Sequence, residues 1–364
     1  MENEKYLTDQ IITYLGNKRK LLNFIGESVE EILKKEGKEK AVIFDGFSGS
    51  GVVSRYLKRF ASKLYVNDFE EYSHCVNSCY LSNKSEVDMD KIIHINKLLN
   101  ERKLDDKIGG FVRELYSPVD DTNIQKDDRA FYSNKNALII DNIRNLISDI
   151  EPEMQKYFLA PLLYKASVHV NTSGVFKGFY KDKNTNIGKF GGTAENALSR
   201  ILFEIDLPIP IFSEYECEVN IFNRDTNELV KELPQIDITY YDPPYNEHPY
   251  GSNYFMLNLI YKNQRPDEIS KISGIPNDWK KSPYYKKKEV YEAFDKLIEN
   301  TPSKWILISY NDEGLLTSKE IMTILEKWGE VELKTQKYNT FRGSKNLKER
   351  ETYVQELLYV VKKY

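Results

Sequence analysis

The segment from residue 41 to residue 68 constrains the fold of this 364-residue chain more than any other stretch. Residues 41–44 form an uninterrupted apolar run, which predicts a buried parallel strand. The glycine-rich run DGFSGSG follows at 45–51, and residues 52–60 then carry apolar side chains at helical spacing. Residues 63–68 predict a second strand that ends at an acid. Strand, turn, helix and strand in this order predict a right-handed βαβ unit.

Further strands predict that this unit belongs to a larger sheet. Residues 236–241 are β-prone and end at the run DPPY, and residues 305–310 form a similar apolar strand. Near the end of the chain, residues 352–360 alternate between apolar and polar side chains and predict a hairpin with a strand at 331–337. The fold class is therefore α/β, with a mostly parallel sheet and an antiparallel C-terminal hairpin.

The βαβ rhythm breaks between about residues 80 and 215, which indicates an insertion. Residues 84–129 are charged and predict loops, whereas residues 135–170 predict two helices. Residues 174–192 combine five glycines with four lysines, a composition typical of a flexible surface segment. The insertion therefore predicts a surface role of its own.

Composition excludes several classes of protein. No apolar run approaches the ~18 residues that span a bilayer, and the polar N-terminus lacks an apolar signal segment, so we expect a cytoplasmic chain that binds no membrane. The 52 basic and 56 acidic residues give a net charge of −4, which rules out a uniformly basic nucleic-acid wrapper but allows a local basic face. Three cysteines cannot form a disulfide framework, and no histidine pairs with them at zinc spacing, so we expect no metal.

The glycine turn predicts ligand binding, although an ordinary tight turn would explain it as well. Glycines let a backbone approach a ligand closely, and the N-terminus of the following helix favours an anion. The spacing of Gly46, Gly49 and Gly51 matches neither the dinucleotide fingerprint nor the phosphate loop, which argues against NAD and ATP. Asp68, at the end of the second strand, is placed to accept hydrogen bonds from ribose hydroxyls. The pattern therefore favours a ligand that contains adenosine.

The run Asp242-Pro243-Pro244-Tyr245 carries the strongest signal of chemistry. Two prolines fix two φ angles and remove two donors, so the turn offers only acceptors, the Asp242 carboxylate and the Pro243 carbonyl. Two acceptors suit an exocyclic amine with two hydrogens. Bonding both hydrogens favours a pyramidal nitrogen, whose lone pair can attack a methyl donor. Tyr245 offers a flat face on which a base can stack.

These stretches, in this order, resemble the alpha group of N6-adenine DNA methyltransferases, the Dam-like family, and the methylases that accompany type IIS restriction enzymes. Other matching stretches are YLGNKRKLL at 14–22, VND ending at Asp68, FNRDTNEL around Asp225, and the later runs SGVFKGF, ISYNDEGLL and FRGSKN. The resemblance covers nearly the whole chain and is weakest between about residues 85 and 130. It implies a Rossmann-like methyltransferase sheet with S-adenosylmethionine as the cofactor.

The resemblance also implies roles for individual residues. Tyr14 and Lys18 would line the methionine end of the cofactor, Asp68 would hold its ribose and Asp225 its adenine. The implied cofactor-binding set is Tyr14, Lys18, Asp45, Phe47, Gly49, Gly51, Asp68, Asp225 and Asp242. The implied catalytic set is Asp242, Pro243, Pro244 and Tyr245, with Asp242 as the acceptor and Tyr245 stacked on the target adenine. The family often has proline at the position of Gly46, and this departure puts the role of Asp45 in question.

A target adenine inside a duplex must be flipped into the pocket, so the enzyme needs contacts to double-stranded DNA. Residues 1–80 and 216–364 would form the two parts of the methyltransferase domain, and residues 81–215 the inserted target-recognition region. The candidate DNA-binding residues are Lys177, Lys181, Lys183, His248, Tyr250, Lys286 and Arg342. Each basic cluster among them would also fit a solvated surface.

The sequence as a whole therefore predicts a site-specific DNA adenine N6-methyltransferase of a restriction-modification system, with a cognate restriction endonuclease as a candidate partner. An RNA or protein amide N-methyltransferase is the alternative within the same chemistry. The glycine spacing disfavours a nucleotide-dependent oxidoreductase. The intact DPPY turn disfavours a DNA-binding module without catalysis.

Overall fold

A seven-stranded sheet forms the centre of the computed structural model, which describes residues 2–105, 110–192, 195–312, 314–339 and 353–364. The strands are β1 (Ala41–Asp45), β2 (Ala61–Asn67), β3 (Glu218–Phe222), β4 (Ile236–Tyr241), β5 (Ser303–Asn311), β6 (Gly329–Asn339) and β7 (Tyr353–Lys363). Their order across the sheet is β3-β2-β1-β4-β5-β7-β6.

The first five strands are parallel, and only β7 runs against its neighbours β5 and β6. This arrangement confirms the predicted α/β class with its antiparallel C-terminal hairpin. The next strands in the chain, β2 and β3, lie on one side of β1, whereas β4 and all later strands lie on the other side. The turns after β1 and β4 therefore lie at a topological switch point, where open α/β sheets form their ligand crevice.

Helices cover both faces of the sheet because its parallel strands are apolar on both sides. On one face, Ile43 and Leu64 pack with the helix at Leu22–Glu36; on the other, Phe44 and Ile308 pack with the helix at Val290–Asn300. The α-helices are α1 (Glu4–Thr8), α2 (Leu22–Glu36), α3 (Val52–Leu57), α4 (Glu71–Tyr80), α5 (Met89–Arg102), α6 (Phe111–Tyr116), α7 (Asn134–Ser148), α8 (Pro152–Val168), α9 (Leu198–Leu202), α10 (Thr226–Leu229), α11 (Tyr250–Asn253), α12 (Phe255–Lys262), α13 (Val290–Asn300) and α14 (Ser318–Leu325). Within the described ranges, none of these helices is long and apolar enough to cross a membrane.

The predicted insertion is helical and packs against the rest of the chain. Its helices α7 and α8 confirm the two that were predicted at 135–170. They share one apolar core with α4, which precedes them in the sequence, and with α12, which follows β4. Residues 134–168 therefore pack against elements next to the sheet.

The sequence did not predict three elements, the helices α5 and α6 and the strand β3. Residues 84–129, which were predicted to be rich in loops, also contain α5 and α6. The charged stretch of α5 is amphipathic: Ile92 and Leu99 lie two turns apart and are buried, and Asp88 caps the helix by accepting from the Lys91 N–H. The edge strand β3 was not predicted, although its sequence EVNIF begins with alternating polar and apolar residues; it is only five residues long.

Candidate active site

An open cleft lies at the carboxyl edge of β1 and β4, at the topological switch point of the sheet. It lies between the glycine turn, the segment around Lys18 and the turn after β4. The predicted site residues that line it are Tyr14, Lys18, Asp45, Phe47, Gly49, Asp68, Asp242, Pro244 and Tyr250. The fold thus brings together residues that are more than 200 positions apart in the sequence.

The glycine turn is shaped by conformations that side chains disfavour. Gly49 and Gly51 have φ angles of +52° and +76°. A Cβ at Gly49 would lie 2.9 Å from the Tyr14 ring, and one at Gly51 would lie 2.4 Å from Asn77 Oδ1. Gly49 therefore opens the cleft floor, whereas Gly51 does not line the cleft and instead permits close packing against α4.

Gly46, which precedes these glycines, stands where the family often has proline, and its contacts explain this departure. The Gly46 N–H donates to the Tyr240 carbonyl at 3.1 Å, and a Cβ at this position would lie 2.4 Å from the Tyr241 ring. A proline would lose that hydrogen bond and would clash with the ring. Asp45 keeps a place in the cleft, where its Oδ2 accepts from Ser54 Oγ at 2.5 Å and burial raises its pKa to about 7.

Two buried acids lie on the β2 side of the cleft. Asp68 accepts from the Gly49 N–H at 2.7 Å and from the Glu70 N–H at 2.9 Å, and burial raises its pKa. Glu70 lines the same cleft, and its Oε2 accepts from Asn258 Nδ2 at 2.7 Å. Burial raises the pKa of Glu70 to about 7. Asp68 therefore holds the glycine turn in place, and Glu70 adds a second acceptor that the sequence analysis missed.

A buried ion cluster lies on the β4 side. Lys18 Nζ is 2.8 Å from Glu356 Oε1 and 3.3 Å from Asp242 Oδ1, and its side chain is only 4% exposed. Ser309 Oγ donates to the same Glu356 oxygen at 2.7 Å. The contact to Asp242 lacks hydrogen-bond geometry, so Asp242 Oδ1 is buried without a hydrogen bond in the described part of the chain.

The cluster sets the charge states of its members. Burial lowers the pKa of Lys18, but the Asp242 and Glu356 carboxylates outweigh it and raise this pKa well above 10.5. Burial also raises the pKa of Asp242 to about 7; Lys18 opposes this shift and Glu356 adds to it. Lys18 is therefore a firmly held cation, and Asp242 changes its protonation near neutral pH.

Aromatic side chains form the outer wall. Tyr14 stacks on Tyr250 and Tyr254, with ring centroids 5.0 Å and 4.8 Å apart. Tyr245 packs edge-on against Tyr310 at 5.8 Å, and its carbonyl accepts from the Leu315 N–H. These contacts hold the rings in fixed planes beside Asp242.

Three further predicted site residues lie apart from the cleft lining: Asp225, Pro243 and Tyr245. Asp225 Oδ1 caps α10 by accepting from the Asn227 and Glu228 N–H groups. Tyr245 still borders the entrance, since its hydroxyl lies 2.8 Å from the place of a Cβ on Gly16, which lines the cleft.

The predicted DNA-binding residues are placed unequally. Lys177 Nζ lies 3.4 Å from His248 Nδ1, so the insertion and the turn after β4 meet here. Among the described residues, Lys177, Lys181 and Lys183 form no ion pair, whereas Lys286 is paired with Glu289 at 2.9 Å. Arg342 lies outside the described residues.

No group of three or more metal-ligating side chains is found among the residues that the structure describes. Cys75, Cys79 and Cys217 are buried and free. The ionisable side chains that line the cleft are carboxylates, Lys18 and tyrosines.

Glu70 and Glu356 belong to this site but were not predicted from the sequence. A signal existed for Glu356, because it is an acid directly before the apolar run at residues 357–361 of the last strand. An isolated acid of this kind needs a buried partner. For Glu70, which follows Asp68 by two residues, no sequence pattern distinguished it from a solvated acid.

Comparison with known proteins adds independent findings. The family model D12 class N6 adenine-specific DNA methyltransferase matches residues 14–324. Type II methyltransferase M.CviAII of Paramecium bursaria Chlorella virus 1 is 31% identical over 341 residues, which cover 91% of this chain and 93% of that protein. Type II methyltransferase M.NlaIII of Neisseria lactamica is 28% identical over 364 residues, which cover 97% and 99%. Modification methylase StsI of Streptococcus sanguinis is 29% identical, and the match covers 96% of this chain and 52% of that protein.

Proposed function

Since the chain belongs to the D12 class of N6-adenine-specific DNA methyltransferases, we propose that it moves the methyl group of S-adenosylmethionine to N6 of an adenine flipped out of duplex DNA. It is a site-specific DNA adenine methyltransferase. The observation that carries the finer proposal is the cleft in which the glycine turn faces Asp242, whose buried Oδ1 lacks a hydrogen bond within the described residues.

The cleft fits S-adenosylmethionine in charge and in hydrogen bonding. Asp45 Oδ1, Glu70 Oε1 and Asp242 Oδ1 are buried acceptors without a hydrogen-bond partner among the described residues. Such acceptors suit a cationic ligand that brings ribose hydroxyls and an ammonium group. Asp68 and Glu70 would hold the ribose, Phe47 would contact the adenine, and Tyr14 would cover the methionine end. When bound, this cofactor supplies an electrophilic methyl group.

Asp242 and Pro243 would orient the adenine amino group. The Asp242 carboxylate and the Pro243 carbonyl accept the two hydrogens, which leaves the nitrogen lone pair directed away from the ring plane. With a pKa of about 7, Asp242 Oδ1 can hold the proton that the amine loses on methylation. Tyr245 would stack on the base and fix the distance between the amine and the methyl donor.

Duplex DNA would bind on the side where Lys177 meets His248. Both side chains are exposed, and Tyr250, two residues after His248, lines the cleft. A basic segment next to the cleft mouth can hold the phosphates beside a flipped nucleotide. Lys181 and Lys183 extend this segment within the inserted region, which we assign to target recognition. A cognate restriction endonuclease and a cytoplasmic location complete the proposal.

The activity is tested by incubating the chain with tritiated S-adenosylmethionine and unmethylated genomic DNA, which contains every short recognition sequence. Nucleoside analysis should recover the label in N6-methyl-2′-deoxyadenosine. Label in methylcytosine, or label in RNA but not in DNA, would contradict the proposal.

Replacing Asp68 by alanine should weaken binding of S-adenosylhomocysteine by about tenfold, because a charged acceptor and the support of Gly49 are both removed. Calorimetry measures the affinity. Asp237→Ala is the matched control, since Asp237 also bonds a backbone N–H, that of Val42, but lies outside the cleft. Tight binding of NAD with no response to either S-adenosyl compound would refute the cofactor assignment.

Replacing Lys177, Lys181 and Lys183 together by alanine should weaken DNA binding about tenfold at moderate salt and to a similar degree on all sequences. The slope of log affinity against log salt should flatten by about 0.9 for each phosphate that these lysines neutralise. Fluorescence anisotropy measures both quantities. The control replaces Lys231, Lys296 and Lys327, which pair with acids elsewhere on the surface. Equal slopes in both variants would show that residues 174–192 do not bind the DNA backbone.

A further inference from the structure

Glu356 occupies a position that needs an explanation beyond packing. It lies on β7 with 4% of its surface exposed, among apolar residues that pack on both faces of the sheet. A carboxylate there is costly unless it is paired. Its Oε1 is paired twice, with Lys18 Nζ at 2.8 Å and with Ser309 Oγ at 2.7 Å. The strand thus places this carboxyl group beside Lys18, which lines the cleft.

The Lys18 ammonium lies between two carboxylates and is closer to one of them. Its contact to Glu356 is 2.8 Å and its contact to Asp242 Oδ1 is 3.3 Å, so both are ion pairs and the shorter one is to Glu356. With Asp242 as its only acidic partner, an ammonium would close to about 2.8 Å and occupy that oxygen. The position of Lys18 therefore depends on the charge of Glu356.

We propose that Glu356 is a positioning residue for methyl transfer, which draws the Lys18 ammonium away from Asp242 Oδ1 and leaves that oxygen available to the adenine amino group. Lys18 still stabilises the Asp242 carboxylate through its charge, but it does not compete for the hydrogen bond. This inference rests on the proposed role of Asp242 as the acceptor.

The first test is Glu356→Gln, which keeps the size of the side chain and its oxygen acceptor but removes the charge. We expect kcat to fall about tenfold, because one preorganised hydrogen bond is blocked in the reacting complex. Affinities for S-adenosylhomocysteine and for DNA should stay within about twofold. A crystal structure of this variant should show the distance from Lys18 Nζ to Asp242 Oδ1 shortened to about 2.8 Å. Glu232→Gln is the control, since it removes the charge of an exposed ion pair with Arg224.

A double-mutant cycle separates this role from a structural one. If Glu356 acts through Lys18, Glu356→Gln should cause no further loss of kcat in a Lys18→Met background. Equal losses in both backgrounds, or an unchanged kcat in the single variant, would overturn the proposal. Should Glu356→Gln fail to fold, Glu356→Asp serves instead, because it withdraws the carboxylate from Lys18 by one methylene group. A loss of kcat with the distance from Lys18 Nζ to Asp242 Oδ1 unchanged at 3.3 Å, or a full kcat with that distance shortened, would equally overturn the proposal.

Asp242→Ala is assayed alongside. Full activity in Asp242→Ala would mean that the proposed acceptor role is wrong. Loss of activity in Asp242→Ala together with full activity in Glu356→Gln would refute only the role of Glu356.

Discussion

Replacing Asp242 by alanine should lower kcat for methyl transfer by about a hundredfold to a thousandfold, the loss typical of removing one preorganised polar group that acts on the transition state. The reason is the position of Oδ1, which is buried at the base of the cleft and makes no hydrogen bond within the described residues. The assay measures tritiated methyl transfer to unmethylated DNA. DNA affinity should be unchanged, because the predicted phosphate contacts lie on other segments.

Asp242→Asn tests the charge of the same group. The amide keeps an oxygen acceptor but cannot hold a proton, so we expect an intermediate rate. Burial raises the pKa of Asp242 to about 7, so the ionised acceptor is lost as the pH falls below 7. Wild-type kcat/KM should therefore decrease about tenfold per pH unit below that point, and the asparagine variant should lack this decrease. The ionisable groups that face Asp242 are Lys18, Glu356, Asp45, Tyr240 and Tyr250.

Asp45 is the matched control for this pH dependence. Burial raises its pKa to about 7 as well, but its Oδ2 is held by Ser54. Asp45→Asn could abolish the decrease of kcat/KM below pH 7 while Asp242→Asn preserved it. The titrating acid would then be Asp45, and the acceptor role of Asp242 would have to be abandoned.

The central part of the fold could be predicted because its signals are local. Residues 236–241 were predicted as a strand, and β4 spans the same residues. An apolar run that ends at a glycine or proline turn leaves few alternatives. Because parallel strands end at one edge, the predicted strands β1, β2 and β4 bring the glycine turn, Asp68 and Asp242 to the same edge of the sheet.

The ion cluster could not be predicted in this way. Lys18 lies in a basic run before α2, and Glu356 lies on the last strand, so only the tertiary fold brings the two together. The register of β7 against β5 places Glu356 opposite Asn311 and within reach of Ser309. No sequence pattern specifies that register, because most residues along β7 are apolar. Gly46 shows the same limit, since its need for an N–H and for no side chain depends on Tyr240 and Tyr241.

Replacing Tyr245 by alanine should lower kcat/KM by about tenfold to a hundredfold, because base stacking on an aromatic ring contributes about 1–3 kcal/mol. Tyr310 holds the Tyr245 ring edge-on at 5.8 Å, and Lys18 Nζ lies 5.5 Å from its centroid. The ring is thus oriented before a base arrives, and alanine removes the stacking surface without changing Asp242.

Tyr245→Phe separates stacking from hydrogen bonding, since it keeps the ring and removes only the hydroxyl. We expect kcat/KM within about threefold of the wild type. Tyr215→Ala is the control for loss of a partly buried tyrosine, because that ring packs by Arg59 away from the cleft. A large loss in Tyr245→Phe would assign the effect to the hydroxyl. An active Tyr245→Ala would show that the flipped adenine is held by other side chains, of which Tyr250 is the next candidate because it lines the same cleft.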